Sequence, residues 1–151
     1  MELKKLHYAY NRESLPGYIT DYFDGESYKA FKAKNNFTSP DDVVIALYVD
    51  GFVTQKKSKQ ELVFVHVLVL NYGPSIRYTD QYMFQIAVIA GKVKDLDSYL
   101  LPIVDEVKSL GERGLIVKKH NGEIIKSKVH MIASGDISQG IGLILGVAYV
   151  Q

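Results

Sequence analysis

Two aspartates in this 151-residue chain stand where a carboxylate can do chemistry. Asp50 follows the unbroken apolar run Val43–Val49, and Asp136 closes a second run that passes through Val129-His130-Met131-Ile132-Ala133. An acid at the end of a buried strand is costly unless it is solvated, paired or bound to a cation. If the two strands lie side by side, the carboxylates meet and repel, and one pKa rises unless a cation neutralises them. Mg²⁺ suits such a pair, because one or two carboxylates hold it while waters and substrate phosphate complete its octahedron. Two such ions, about 3.5–4 Å apart, stabilise the attacking and leaving oxygens of a phosphodiester. The competing reading is plainer. Asp50-Gly51 is also a common hairpin dipeptide, and by itself it favours a turn, with both acids in solvent and never meeting. Strand adjacency is not written in one sequence, so physics alone leaves the two readings level.

Composition removes several other chemistries. There is no cysteine, which excludes disulfides and thiolate zinc sites. The four histidines, His7, His66, His120 and His130, lack the i, i+4 helical spacing of a metalloprotease motif. His66 lies in an apolar run and reads as a satisfied strand residue rather than a ligand. A formal net charge of +1 gives no global pull toward nucleic acid or membrane. No apolar run approaches the ~20 residues of a membrane helix, and the first residues lack the apolar core of a signal peptide. The expectation is an intracellular, soluble protein. An apolar share of 47% and a charged share of 23% fit one globular domain.

The elements that position the acids follow from periodicity. Residues 1–42 are polar and tyrosine-rich, break at Pro16-Gly17, and read as an approach segment with one short helix near Gly25–Lys32, capped by Asp24 or Ser27. Residues 43–151 form the main unit. Val43–Val49 suits a strand buried on both faces. The polar stretch Thr54–Glu61 reads as a hairpin connection; its Lys56, Lys57 and Lys59 are candidates for phosphate contact, although a short charged run is usually a solvated turn. Leu62–Leu70 and Tyr82–Ala90 supply two more strands, giving an antiparallel meander. From Asp95 the apolar positions Leu96, Tyr99, Leu100, Ile103, Val104, Val107 and Leu110 recur at helical spacing, with Gly111 as the stop and Pro102 as a kink. Leu115–Lys118 and Glu123–Ala133 flank Asn121-Gly122, a strong hairpin signal. Ile137–Val150 is apolar with three glycines, either a short packed helix or a strand.

Several stretches resemble, in order, the CACTA-type (En/Spm) DDE transposase family. They are Asp24-Gly25-Glu26-Ser27-Tyr28, Leu47-Tyr48-Val49-Asp50-Gly51-Phe52, Leu70-Asn71-Tyr72-Gly73-Pro74-Ser75-Ile76-Arg77, Leu101-Pro102-Ile103-Val104-Asp105-Glu106, and Asp136 with the trailing Gly146. The resemblance implies an α/β, RNase H-like catalytic domain around a mixed five-stranded sheet. It implies Asp50 and Asp136 as Mg²⁺-holding catalytic acids, DNA as partner (with Arg77 beside the three lysines as contacts), and a nuclear location. The family uses a third acid and cysteine-bearing segments further along. No Asp or Glu follows Asp136, and Ile137-Ser138-Gln139-Gly140 replaces the family's Pro-Ala continuation. The expectation is therefore the incomplete front part of such a domain, inactive by itself. The rival expectation is a non-catalytic remnant that binds DNA or a protein.

Overall fold

A computed structural model describes residues 3–34, 37–53, 61–91 and 94–136. The Val43 run forms the inner strand β1 (Val43–Val53), and it does not stop at Asp50. Asp50-Gly51 is strand rather than turn: Asp50 pairs with Phe64 and Gly51 with Val63 of β2 (Glu61–Val69). A β-branched partner strand with this many ladder bonds outweighs the local turn preference of the dipeptide. β3 (Met83–Ala90) pairs antiparallel with β2, and β6 (Val129–Asp136) pairs parallel with β1, giving the order β3-β2-β1-β6. The fold is thus mixed α/β around a four-stranded mixed sheet.

The expected fifth strand is not in that sheet among the described residues. β4 (Leu115–Lys118) and β5 (Ile124–Ser127) form a separate two-stranded sheet closed at Asn121-Gly122, where Gly122 has φ +86°. The second arm expected as one strand breaks at Lys128, whose backbone N–H donates to Asp42 Oδ1 while its carbonyl accepts from Val43. Those two bonds hand the chain from the hairpin to the main sheet.

Both faces of β1 are covered. On one, Leu47 and Val49 pack with Val65, Ile89 and Leu100 of the long helix. On the other, Val44 and Ala46 pack with Phe23, Tyr28 and Phe37 from the N-terminal segment. That segment folds as two single-turn helices, α1 (Leu3–Leu6) and α2 (Tyr8–Asn11), a 3-10 turn at Tyr22–Asp24, and α3 (Glu26–Ala33). Gly25, not Asp24 or Ser27, is the N-cap residue of α3. Another short helix, α4 (Pro74–Arg77), follows β2.

The long helix α5 (Asp97–Arg113) buries Leu100 and Val104, with Leu96, Ile103 and Val107 against the sheet, while Tyr99 is exposed. Pro102 is accommodated inside one continuous helix; Ser98 simply loses the bond its carbonyl would accept. Gly111 does not end the helix. A Cβ there would lie 3.2 Å from the Val129 carbonyl oxygen, so the missing side chain lets α5 approach β6. The stop is Gly114, at φ +72°.

Candidate functional site

β1 and β6 run parallel, so their C-terminal ends lie together, and these ends carry Asp50 and Asp136. The register pairs Asp136 with Val49, one position short of Asp50. Adjacent strands are about 4.8 Å apart with about 3.3 Å per residue, which sets the two acid-bearing backbone positions about 6 Å apart.

A bulge produces this offset. Ile45 pairs with Met131 but Ala46 pairs with Ala133, so Ile132 is the extra residue. An unbulged ladder would set Asp136 directly opposite Asp50; the shift sets it instead at the position of Val49, a residue of the other face of β1. The extra residue is tied down from outside the sheet: the Tyr22 hydroxyl donates to the Ile132 carbonyl at 2.8 Å.

Asp50 continues the face of β1 that carries Ala46 and Tyr48, since side chains alternate along a strand. It is half-buried, and among the described residues its carboxylate has neither a hydrogen-bond donor nor an ion-pair partner. No group of three or more potential metal-ligating side chains occurs among the described residues. Lys56, Lys57 and Lys59 lie outside the described residues.

Arg77 departs from expectation. It is 3% exposed, its Nε donates to the Tyr72 carbonyl, and its two terminal nitrogens donate to Asp21 at 3.3 and 3.0 Å. A guanidinium committed in this way is a brace, not a surface phosphate contact.

The bracing roles of several other polar residues escaped the sequence reading. Arg12 forms a two-pronged pair with Asp24, at 2.7 Å on each prong, and Ser14 and Thr20 also donate to that carboxylate. The Arg12 guanidinium and these donors hold the Asp24 carboxyl well below the usual carboxylate range. Asn71 is fully buried; it accepts from Val44 N–H at 2.6 Å and donates to the Asp42 carbonyl at 2.9 Å. Asp42, also buried, gathers the N–H groups of Thr38, Ser39 and Lys128. The starts of β1 and β6 are therefore fastened to one another, which fixes the register that reaches Asp50 and Asp136 at the other end. The available signal was a run of buried-strand residues flanked by Asp and Asn, which reads equally well as a loop.

No protein family, curated protein or solved structure was found to match the chain.

Proposed function

We propose that this chain is the front part of an RNase H-like domain of DDE transposase lineage, built for Mg²⁺-dependent chemistry on DNA phosphodiesters. One observation carries the reading: three antiparallel strands, a helix and a fourth strand parallel to the first bring Asp50 and Asp136 to neighbouring register positions at one sheet end. Apart from the β4–β5 hairpin that intervenes before the last strand, this is the element order that the resemblance implies for the first half of that fold.

Asp50 by itself suits a hard cation. Asp50 is a half-buried carboxylate without a partner among the described residues, and hard cations of this kind need only one or two protein carboxylates. Asp50 and Asp136 would hold the ion, which when bound supplies charge to the attacking and leaving oxygens of a phosphodiester. The chain's own part is positioning. Tyr22 fixes the bulge in β6, Asn71 and Asp42 fix the strand starts, and α5 braces the opposite face.

Phosphoryl transfer relies on placement and charge stabilisation. With two acids and no Asp or Glu after Asp136, a second ion lacks its anchor. We therefore expect weak metal binding without cleavage from this chain. The test incubates purified protein with labelled DNA and Mg²⁺ or Mn²⁺, beside an Asp50→Asn, Asp136→Asn double variant. No cleavage by either protein is expected. Cleavage that disappears in the double variant would show that two acids suffice; cleavage equal in both would place the chemistry elsewhere.

A further inference from the structure

On the sheet face that carries Asp50, an open cleft of about 180 Å³ lies between β1 and the residue that follows α4. Ala46 and Leu70 give it an apolar base, and Tyr48, Tyr78, Thr20 and Arg77 line it. Tyr78 is 61% exposed and Tyr48 half-buried. Neither phenol has a hydrogen-bond partner among the described residues. Burial raises the Tyr48 pKa, with the neighbouring Tyr78 phenol adding and Arg77 opposing. The hydroxyl therefore keeps its proton at neutral pH and can donate.

Charge decides what the cleft can take. Asp21 neutralises Arg77, and Asp24 neutralises Arg12 behind it. With Arg77 buried and paired, the Tyr48 and Tyr78 phenols are what the cleft offers for hydrogen bonding, without net positive charge. A phosphate finds no countercharge here. A neutral planar ring with a polar edge finds a small apolar base, an exposed tyrosine to stack on and a phenol to bond.

We propose that this cleft seats the base of an unpaired nucleotide flanking the phosphate at Asp50, with Tyr78 against the ring and the Tyr48 hydroxyl at its edge. The proposal rests on the phosphodiester reading above for the nature of the polymer. Tyr48 and Asp50 are two residues apart on one face of β1, about 7 Å, which one nucleotide can bridge. Stacking of this kind tolerates any base, because every base has a π-face.

The test measures binding of the full chain, in EDTA and at one fixed salt concentration, to two fluorescein-labelled probes. One is a short single-stranded DNA and the other is a fully abasic strand of equal length. The wild type is expected to bind the base-bearing strand more tightly. Tyr78→Ala should weaken that strand about tenfold and Tyr48→Phe about threefold, while each changes abasic binding by less than about twofold. Because Tyr78 is largely exposed, its variant should keep the wild-type circular dichroism spectrum. Equal weakening of both strands, no weakening of either, or no wild-type preference for bases would overturn the proposal. Without metal, any repulsion between Asp50 and phosphate acts on both strands alike, so the difference between them reports on the cleft. Loss of the base preference with intact metal binding would sink only the cleft, and the reverse result only the phosphodiester reading.

Discussion

Four carboxylates of this protein make a contrast. Asp21, Asp24 and Asp42 are buried and saturated: Asp21 faces Arg77 and the Tyr8 hydroxyl, Asp24 faces Arg12, Ser14 and Thr20, and Asp42 collects three backbone N–H groups. Asp50 is half-buried on the inner strand, and among the described residues nothing answers it. The first group lies in the N-terminal segment and at the start of β1; Asp50 lies toward the other end of that strand. Desolvating a carboxylate is costly, so a fold that places one without a partner gives up stability there. The contrast separates acids that hold the fold from an acid that is available to a ligand.

The largest effect should come from breaking a saturated pair. Arg77→Ala leaves Asp21 buried beside no cation and should cost about 3–5 kcal/mol, read as a drop in the urea midpoint. A cost below about 1 kcal/mol would show that the brace is a surface pair after all.

Asp24 gives the same comparison a pH axis. Its folded pKa is depressed by Arg12 and by the surrounding donors. The folded protein therefore keeps this charge where the unfolded chain, with a pKa of about 3.9, takes up a proton. The sign follows: the stabilisation is complete above that value and drains away as pH falls below it. Asp24→Asn should be less stable at neutral pH, and its stability should fall less steeply on acidification. A variant with the same acid slope as wild type would mean that Asp24 is not linked to folding.

Asn71→Ala strands the Val44 N–H and the Asp42 carbonyl inside the protein and should cost about 1–3 kcal/mol by the same unfolding measurement. Tyr22→Phe removes one hydrogen bond, to Ile132, and should cost about 0.5–1.5 kcal/mol. That variant also sharpens the comparison between the acids. If the bulge sets the offset between Asp50 and Asp136, divalent-metal affinity should change in Tyr22→Phe. An unchanged affinity would mean that the tyrosine holds the sheet but not the site.

Much of the framework was legible in the sequence, and the reason is period. Val43–Val49 and Leu62–Leu70 are almost uniformly apolar and rich in β-branched residues, which suits strands, and the step from Leu96 to Leu110 is helical over most of its length. The placement of β6 beside β1 was one of two readings that the residues left level, and the structure shows it. What was not legible depends on tertiary partners. Asp50-Gly51 carries a turn signal that the β2 ladder overrides, and Gly111 carries a stop signal that close packing against Val129 explains instead. The bulge at Ile132 leaves no trace in a run of apolar residues, yet it shifts the register between the acids by one. Arg77 read as a surface cation because its partner, Asp21, lies 56 positions away. Several stretches that carry the family resemblance, Asp24 and Asn71–Arg77 among them, prove to be parts of the bracing.

The most direct test of the distinction between saturated and available acids is a Mn²⁺ titration of the full chain by electron paramagnetic resonance, with urea unfolding of the same samples. The wild type should bind one ion weakly. Asp50→Asn and Asp136→Asn should each lower that affinity by about tenfold or more, as expected when an ion loses a ligating charge. Asp50→Asn should change folding stability by no more than about 0.5 kcal/mol, because it breaks no internal bond among the described residues. Binding that survives in the double variant, or an Asp50→Asn variant as destabilised as Arg77→Ala, would contradict the account.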